Sequence, residues 1–286
     1  MGPISILDGG MLYELNRYNK DVGEKAIIDN PELVKKIHRE YINIGCQYIT
    51  TANYGFKPHR QPNWAELTQK SCNILYELKN IGEPKQFTML ASIPPFYESY
   101  QDGEITPNFI EYYETLVNIF EPYTDEYLIE TAVSISHITA IIDIIKKTST
   151  KPILVSVYPN KHISKDNIPD LGAKHIKGLL INCCSFEKML KFLQLIPKNM
   201  FKKHTFGFYC NKIDEERYSK MDTNLKLTPN LETFKIEGIV TETELCEYIK
   251  TIDGFAPTEI IIGGCCGYGV KEMKQLAESI KKINEK

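Results

Sequence analysis

The chain has 286 residues, 42% of them hydrophobic and 25% charged, with a formal net charge of −3. That length suits one large α/β domain, expected to run from residue 1 to residue 286. The mild acidity offers no basic field for nucleic acid or an anionic membrane surface. No apolar run approaches the roughly 20 residues that span a bilayer. The first residues pass directly into Ile4-Ser5-Ile6-Leu7-Asp8 without the basic and apolar segments of a secretory signal, so a cytoplasmic protein is expected. In that compartment eight cysteines are reduced thiols rather than a disulfide framework.

Ile4–Leu7 reads as the first strand. Pro31–Gly45 reads as a helix, with Asn30 as its cap, Pro31 at its first position, and Leu33, Val34, Ile37, Tyr41 and Ile44 on one face. Tyr48–Ala52 is the second strand and Trp64–Ile81 a helix; Phe87–Ser92 and Pro107–Phe120 repeat the unit. Tyr127–Glu130 precedes a helix at Ser134–Lys147, and Pro152–Val157 is the fifth strand. Leu179–Asn182 and Phe186–Leu195 form the sixth unit, Thr205–Tyr209 and Glu244–Ile252 the seventh, and Glu259–Ile262 and Lys271–Ile283 the eighth. Tyr158–Lys177 carries no long helical pattern, which predicts a short or absent fifth helix. Asn211–Gly238 is long and polar, which predicts a loop excursion over one end of the fold. Parallel neighbours need crossover helices, and eight such units in this length favour a closed (β/α)8 TIM barrel over an open sheet.

In such a barrel, reactive groups gather at the C-terminal ends of the strands. Asp8-Gly9-Gly10, Thr50-Thr51-Ala52-Asn53, Glu130, Asn182-Cys183-Cys184 and Gly263-Gly264-Cys265-Cys266-Gly267 all fall there. Cys46, Cys72 and Cys246 sit inside helical or apolar patterns and read as core. Adjacent residues of an extended strand point to opposite faces, but the glycines around Cys265 and Cys266 allow a turn that aims both sulfurs at one point. A third thiolate from Cys183, or from Cys184 in its place, makes a three-sulfur set suited to zinc with one coordination position left open. Glycine-rich packing and a vicinal disulfide are the competing readings. Asp8 and Glu130 read either as ordinary caps or, beside the thiols, as a clamp for an ammonium group.

Leu7-Asp8-Gly9-Gly10-Met11, His38-Arg39-Glu40-Tyr41, Ile49-Thr50-Thr51-Ala52-Asn53-Tyr54, Ile129-Glu130-Thr131, Ile181-Asn182-Cys183-Cys184 and Ile262-Gly263-Gly264-Cys265-Cys266-Gly267 together resemble the homocysteine S-methyltransferase family. The resemblance runs from residue 4 to about residue 283. It implies a (β/α)8 barrel that methylates homocysteine to methionine, with Cys183, Cys265 and Cys266 as zinc ligands and Asp8 and Glu130 as contacts to the substrate amine. Thr51 and Asn53, from the end of strand two, are expected to contribute to the substrate site. The implied donor is cationic, S-methylmethionine or S-adenosylmethionine; betaine is less expected, because the long C-terminal extension of betaine-using relatives is missing. No general base is required once the acceptor is a thiolate, so no catalytic side chain is assigned. The chain departs from the family pattern at Asp21-Val22-Gly23-Glu24, at Thr51-Ala52-Asn53-Tyr54, at Ile93-Pro94-Pro95-Phe96-Tyr97-Glu98 and at Tyr209-Cys210-Asn211. These departures cluster where the donor should sit. They keep open a second acceptor, another thiol or a selenol, and a barrel that binds zinc and an amino acid without turnover. Cys210 reads as a small residue filling a proline's space or as an extra thiol near the metal.

Overall fold

The computed structural model describes residues 2–18, 25–81, 86–160, 163, 176–196, 204–211 and 256–285. Its strands are β1 (Ile4–Ile6), β2 (Tyr48–Thr50), β3 (Thr88–Ile93), β4 (Glu126–Ala132), β5 (Ile153–Val157), β6 (Ile176–Asn182), β7 (Thr205–Cys210) and β8 (Glu259–Gly264). Every pairing is parallel, in the order β1-β8-β7-β6-β5-β4-β3-β2. The two ends of that order meet: Leu7 bridges Tyr48, Gln47 N donates to Ile6 O at 2.8 Å, and Asp8 N donates to Tyr48 O at 3.0 Å. The sheet therefore closes into the expected barrel.

Eight helices are present among the described residues: α1 (Met11–Tyr18), α2 (Ala26–Asp29), α3 (Pro31–Ile44), α4 (Trp64–Asn80), α5 (Pro107–Phe120), α6 (Ile135–Thr148), α7 (Phe186–Leu195) and α8 (Val270–Asn284). Their limits follow local chemistry. The Asn30 side chain accepts from Leu33 N, Pro31 occupies the first turn, and Gly45 at φ 108° ends α3 in the left-handed conformation. Thr106 caps α5 and Ser185 caps α7 in the same way. None of these helices is long and apolar enough to cross a membrane.

Two apolar layers result. The barrel interior takes one side chain from each strand or its end, Leu90, Leu128, Leu154 and Leu180 among them. The opposite strand faces pack against helix residues such as Val34, Ile37, Leu116 and Ile145, and Cys46 and Cys72 lie in that layer as expected. At about 25 cal/mol per Å² of apolar surface, the burial of these two layers is the main term holding the barrel together.

Two helices before Pro31 were not expected. The inner face of α1 buries Glu14 and Asn16 beside Leu15, so polar residues stand where a helical pattern looks for apolar ones, and α2 is a single turn. Strand β6 begins at Ile176, earlier than the expected Leu179, which brings Lys177 into the sheet. Of the Tyr158–Lys177 link, Tyr158–Asn160, Ile163, Ile176 and Lys177 are described. The excursion at Asn211–Gly238 (beyond Asn211), the helix at Glu244–Ile252, and the readings of Asp21-Val22-Gly23-Glu24 and Cys246 lie outside the described residues.

Lys177 closes the floor of the barrel. Its Nζ donates to Tyr48 OH at 2.7 Å and to Glu126 at 2.9 and 3.1 Å, and lies 3.7 Å from Glu259. Tyr48 OH and Ser5 Oγ donate to the same Glu259 carboxylate. Replacing Lys177 by Met should leave two half-dry carboxylates without a cation and cost about 2–3 kcal/mol. A urea titration should show the midpoint fall; an unchanged midpoint would show that the floor network contributes nothing net.

Candidate metal centre and acceptor pocket

At the C-terminal ends of the strands lies a cavity of about 200 Å³. Its wall includes Asp8 after β1, Thr50 and Thr51 at β2, Ser92 on β3, Glu130 on β4, Cys183 after β6, Tyr209 on β7, and Cys265 and Cys266 after β8. Residues far apart in sequence meet there because each occupies the same level of a closed sheet.

Strands β6 and β8 both pair with β7. Cys183 N donates to Tyr209 O at 3.1 Å and Cys265 N to Cys210 O at 3.0 Å, so the two ends are held level. Cys265 Sγ is 3.1 Å from Cys183 Sγ and 4.0 Å from Cys266 Sγ, and all three sulfurs lie within 4.8 Å of one another. A tetrahedral zinc with bonds near 2.3 Å requires sulfurs about 3.8 Å apart, so this soft donor set fits the ion with shifts of a few tenths of an ångström to about an ångström. The adjacent cysteines converge because their chain turns: Gly267 sits at φ 83°, and Tyr268 N returns to Cys265 O at 3.1 Å. The turn packs onto Gly10, where a Cβ would stand 2.7 Å from Cys265 O. The Asp8-Gly9-Gly10 element thus supplies a carboxylate and clears space for the cysteine turn.

Of the adjacent pair after β6, Cys183 enters the cluster, while Cys184 is fully buried in the sheet–helix layer. Cys210 faces that layer too, with its Sγ 3.6 Å from Met189 Sδ, so the extra-thiol reading is not realised. Hydrogen bonds among the three sulfurs hold the Cys266 thiol well below its ordinary range and push Cys265 well above it.

The carboxylates share the cavity. Asp8 is 3% exposed and accepts from Thr50 N at 3.0 Å and from Thr50 Oγ1 at 3.0 and 3.1 Å. Burial pushes its carboxyl well above the usual range, against the pull of the Thr50 hydrogen bonds and with a further push from Glu130. Glu130 accepts from Ser92 Oγ and from Tyr209 OH at 3.3 Å. Burial carries Glu130 up to about 7, opposed by those two donors and reinforced by Cys183. Among the described residues, neither acid makes an ion pair and no Lys, Arg or His lines the cavity. Two acids and three thiols therefore face one space without a basic side chain.

Thr51 lines the cavity, but its hydroxyl donates to Asn53 Oδ1 at 2.7 Å and accepts from Ser92 N at 3.0 Å. Asn53 is fully buried behind the wall and gives its amide to Ser92 O at 3.0 Å. This pair joins the end of β2 to β3 beneath Ser92. Asn182 does similar work across the barrel: its Oδ1 accepts from Ser156 Oγ at 2.8 Å and Thr131 N at 3.2 Å, and its Nδ2 donates to Thr131 Oγ1 at 2.8 Å. His38 lies off the cavity, fully buried on α3, where burial takes its ring down to about 3 and keeps it neutral.

Ser92, Tyr209 and Tyr100 belong to the site and were not singled out from sequence. Ser92 interrupts the apolar run of β3, which is a usable signal, and Tyr209 could be placed by its strand-end position. Tyr100 lies in a loop without periodicity. Three non-glycine residues among those described have positive φ, Tyr100 at 69°, Thr131 at 52° and Cys183 at 55°, and all three line this cavity. Such conformations cost about 1–3 kcal/mol each and persist where surrounding contacts over-determine them.

The class that fold and site define is a closed parallel barrel whose mouth joins a cysteine cluster able to hold a metal ion to a buried acid pair. The homocysteine S-methyltransferase family model matches residues 5–280, and the chain belongs to that family, which makes it a methyltransferase by class. Homocysteine S-methyltransferase YbgG of Bacillus subtilis is 24% identical over 239 residues, covering 70% of this chain and 75% of that protein. Homocysteine S-methyltransferase 3 of Arabidopsis thaliana is 33% identical over 92 residues, and that match spans about a quarter of the plant protein, 26%. The metallated form of the Escherichia coli homocysteine methyltransferase MmuM shares the fold, with a TM-score of 0.68 and 19% identity over 96% of each chain.

Protein purified under reducing conditions should carry about one zinc per chain. Cys183→Ser, Cys265→Ser and Cys266→Ser should each remove most of it, whereas Cys184→Ser and Cys210→Ser should keep it despite costing stability. Elemental analysis checks this. Full metal in Cys183→Ser, or its loss in Cys184→Ser, would reassign the third ligand.

Proposed function

We propose that the chain transfers a methyl group from a cationic donor, S-methylmethionine or S-adenosylmethionine, to homocysteine, giving methionine, with Cys183, Cys265 and Cys266 holding zinc. The observation that carries this reading is one cavity in which three sulfurs and two buried acids face each other, with no basic side chain among the described residues. Such a space favours positive groups, and an amino-acid thiol and a methyl sulfonium both bring one. A bound zinc would lower the acceptor thiol's pKa, so that its sulfur is a thiolate at neutral pH.

The remaining work falls to the protein. Glu130, oriented by Ser92 and Tyr209, and Asp8, oriented by Thr50, receive the ammonium group of the acceptor. As that cation arrives, Glu130 releases to solvent the proton that burial had favoured. The thiolate then attacks the donor methyl in line. A carbon–sulfur bond forms, the bond to the donor's sulfonium sulfur breaks, and its electron pair stays on the leaving sulfur. No proton moves in this step, which suits a cavity without a histidine. Opposite charges are consumed, so an apolar, water-poor wall favours the transition state. The rings of Tyr54, Phe56 and Tyr100 in that wall offer faces to a sulfonium. A three-thiol site of this kind requires reducing surroundings, which fits a cytoplasmic location.

Incubation with homocysteine and a panel of S-methylmethionine, S-adenosylmethionine and betaine, with mass spectrometry of the products, tests the proposal. Methionine formed with either sulfonium supports it. Preference for betaine would correct the donor, and no product with any of the three would leave a binding protein.

The acid pair has its own signature. Each charge-assisted hydrogen bond to the ammonium is worth about 1.5–3 kcal/mol, so Glu130→Gln should weaken homocysteine binding roughly ten- to a hundred-fold. Binding of 4-mercaptobutanoate, which has the thiol but no amine, should be unaffected. The pH dependence follows in sign. Glu130 is raised in the folded chain to about 7, so its contribution to stability is present at low pH and is lost as pH rises through that value. An ammonium ligand needs the ionised form, so its affinity should rise through about pH 7 and fall by up to about tenfold per unit below it. Calorimetry of the parent and of Glu130→Gln isolates this component, because the thiol's own proton release is common to both. Equal loss for both thiols in the variant would make Glu130 a structural acid.

A further inference from the structure

The loop from Pro94 to Thr106, between β3 and α5, is fastened at several points. Lys57 Nζ donates to Tyr97 O, and Tyr54 OH and Ser99 Oγ lie 2.9 Å apart. Arg60 and His59 converge on Glu98, with Arg60 Nε and His59 Nε2 each 3.0 Å from its Oε1. Burial alone would raise the Glu98 carboxyl, but these partners and the Lys57 charge bring it down to about 2, so it is ionised. Farther along, His137 Nε2 lies 2.7 Å from Gly103 O, and Tyr97 OH donates to Glu104 O at 2.6 Å. Within this braced loop Tyr100 adopts φ 69°. Its ring lies against Tyr158 at 4.4 Å between centroids, and Lys188 Nζ also holds Tyr158, bonded to its hydroxyl at 2.5 Å and 4.0 Å from its ring centroid. The phenol oxygen of Tyr100 then stands 3.0 Å from Cys183 Sγ.

We propose that Tyr100 is a positioning residue for the metal centre, donating its hydroxyl hydrogen to the Cys183 sulfur and thereby setting how much negative charge that ligand keeps. The inference rests on the reading that Cys183, Cys265 and Cys266 hold a metal. A metal-bound cysteine is a thiolate and has no proton to give, so in the loaded protein the phenol is the donor of this pair. A hydrogen-bonded thiolate gives less electron density to its metal, which leaves more of the metal's acidity for the acceptor thiol. Partners beyond the ligands commonly tune a site in this way. The left-handed backbone at both Tyr100 and Cys183 is consistent with a contact that the braced loop imposes on the site. Glu98, Lys57 and Arg60 act one step further back, by keeping the loop where the phenol reaches the sulfur.

Cobalt(II) substituted into the full chain provides the test, since sulfur-to-cobalt charge-transfer absorption reports electron density on the cysteines. Tyr100→Phe keeps the ring and its stack on Tyr158 but removes the donor. Its charge-transfer bands should move to lower energy while the tetrahedral visible bands persist, and zinc affinity in a competition with a chromophoric chelator should fall about tenfold. Bands and affinity identical to the parent's would overturn the proposal. If Tyr100→Phe does not fold, the same spectra of Glu98→Gln decide: displacement in the same direction supports it, and unmoved bands overturn it. Absence of thiolate bands in the parent would instead defeat the metal reading on which the proposal stands, so the two failures are distinguishable.

Discussion

Three ionised sulfurs at close range repel one another, and the mouth of this barrel is arranged to hold them together. Cys183, Cys265 and Cys266 lie within 4.8 Å of one another at the ends of two strands that share β7 as a neighbour. Backbone hydrogen bonds to Tyr209 and Cys210 fix those ends, and Gly10 lets the cysteine turn settle against the β1 end. Without a cation, sulfurs this close relieve the repulsion by keeping protons and hydrogen-bonding to one another. With a divalent cation the same closeness becomes favourable, because three thiolates and a 2+ ion leave only one net negative charge. The scaffold holds a geometry that a divalent cation would stabilise.

The same logic extends to the acids. Glu130 and Asp8 are buried without an ion-pair partner among the described residues, and both are raised by that burial. A carboxylate kept dry and unpaired is destabilising in the free chain. Each is supported by only a few donors, Ser92 and Tyr209 for one and Thr50 for the other, which orients it without satisfying all its lone pairs. The unfilled capacity faces the cavity. Support of this kind gives orientation in advance while leaving the charge to be met by the ligand, which is how a rigid site turns ligand binding into positioning.

Which of this could be read from the chain depended on whether the determinant was local. Helix α3 was legible because Asn30, Pro31 and Gly45 punctuate it, and the alternation of apolar strands with capped helices was enough for the barrel. The Cys265-Cys266 pair stood out because its flanking glycines allow both sulfurs to turn to one side, and in the structure both lie near Cys183. Helix α1 was hidden by Glu14 and Asn16 on its inward face. The choice of Cys183 over Cys184 depended on which face the chain shows as it leaves β6 at φ 55°. Thr51 and Asn53 were both expected at the substrate site; Thr51 lines the cavity, whereas Asn53 lies buried behind its wall with its amide on Ser92 O. Tyr100 was out of reach, since its position depends on Lys57, Arg60 and Tyr158, none adjacent to it in sequence.

Strand order also determines what kind of acceptor the pocket can take. In a closed ring of eight strands ordered β1-β8-β7-β6-β5-β4-β3-β2, β4 lies opposite β8. Glu130 at the end of β4 therefore looks across the mouth at Cys265 and Cys266, while Asp8, next to β8, closes the side between them. Under the proposed function, a molecule engaging both ends would carry a sulfur at one terminus and a cation at the other, with a chain long enough to cross. The crossing distance belongs to the barrel, because the acids and two of the backbone anchors sit on strands that cannot slide without breaking the whole register. The wall between the two ends also takes Ser99 and Tyr100 from the Pro94–Thr106 loop, which is held by contacts such as Lys57 Nζ to Tyr97 O and Arg60 to Glu98 rather than by the strand ladder. The separation of the acids from the cysteines is thus held by the sheet, whereas part of the wall beside Cys183 comes from the loop residues Ser99 and Tyr100. Substitution can change the loops without disturbing the ring, which is why the departures at Ile93–Glu98 can coexist with an intact thiol cluster and acid pair.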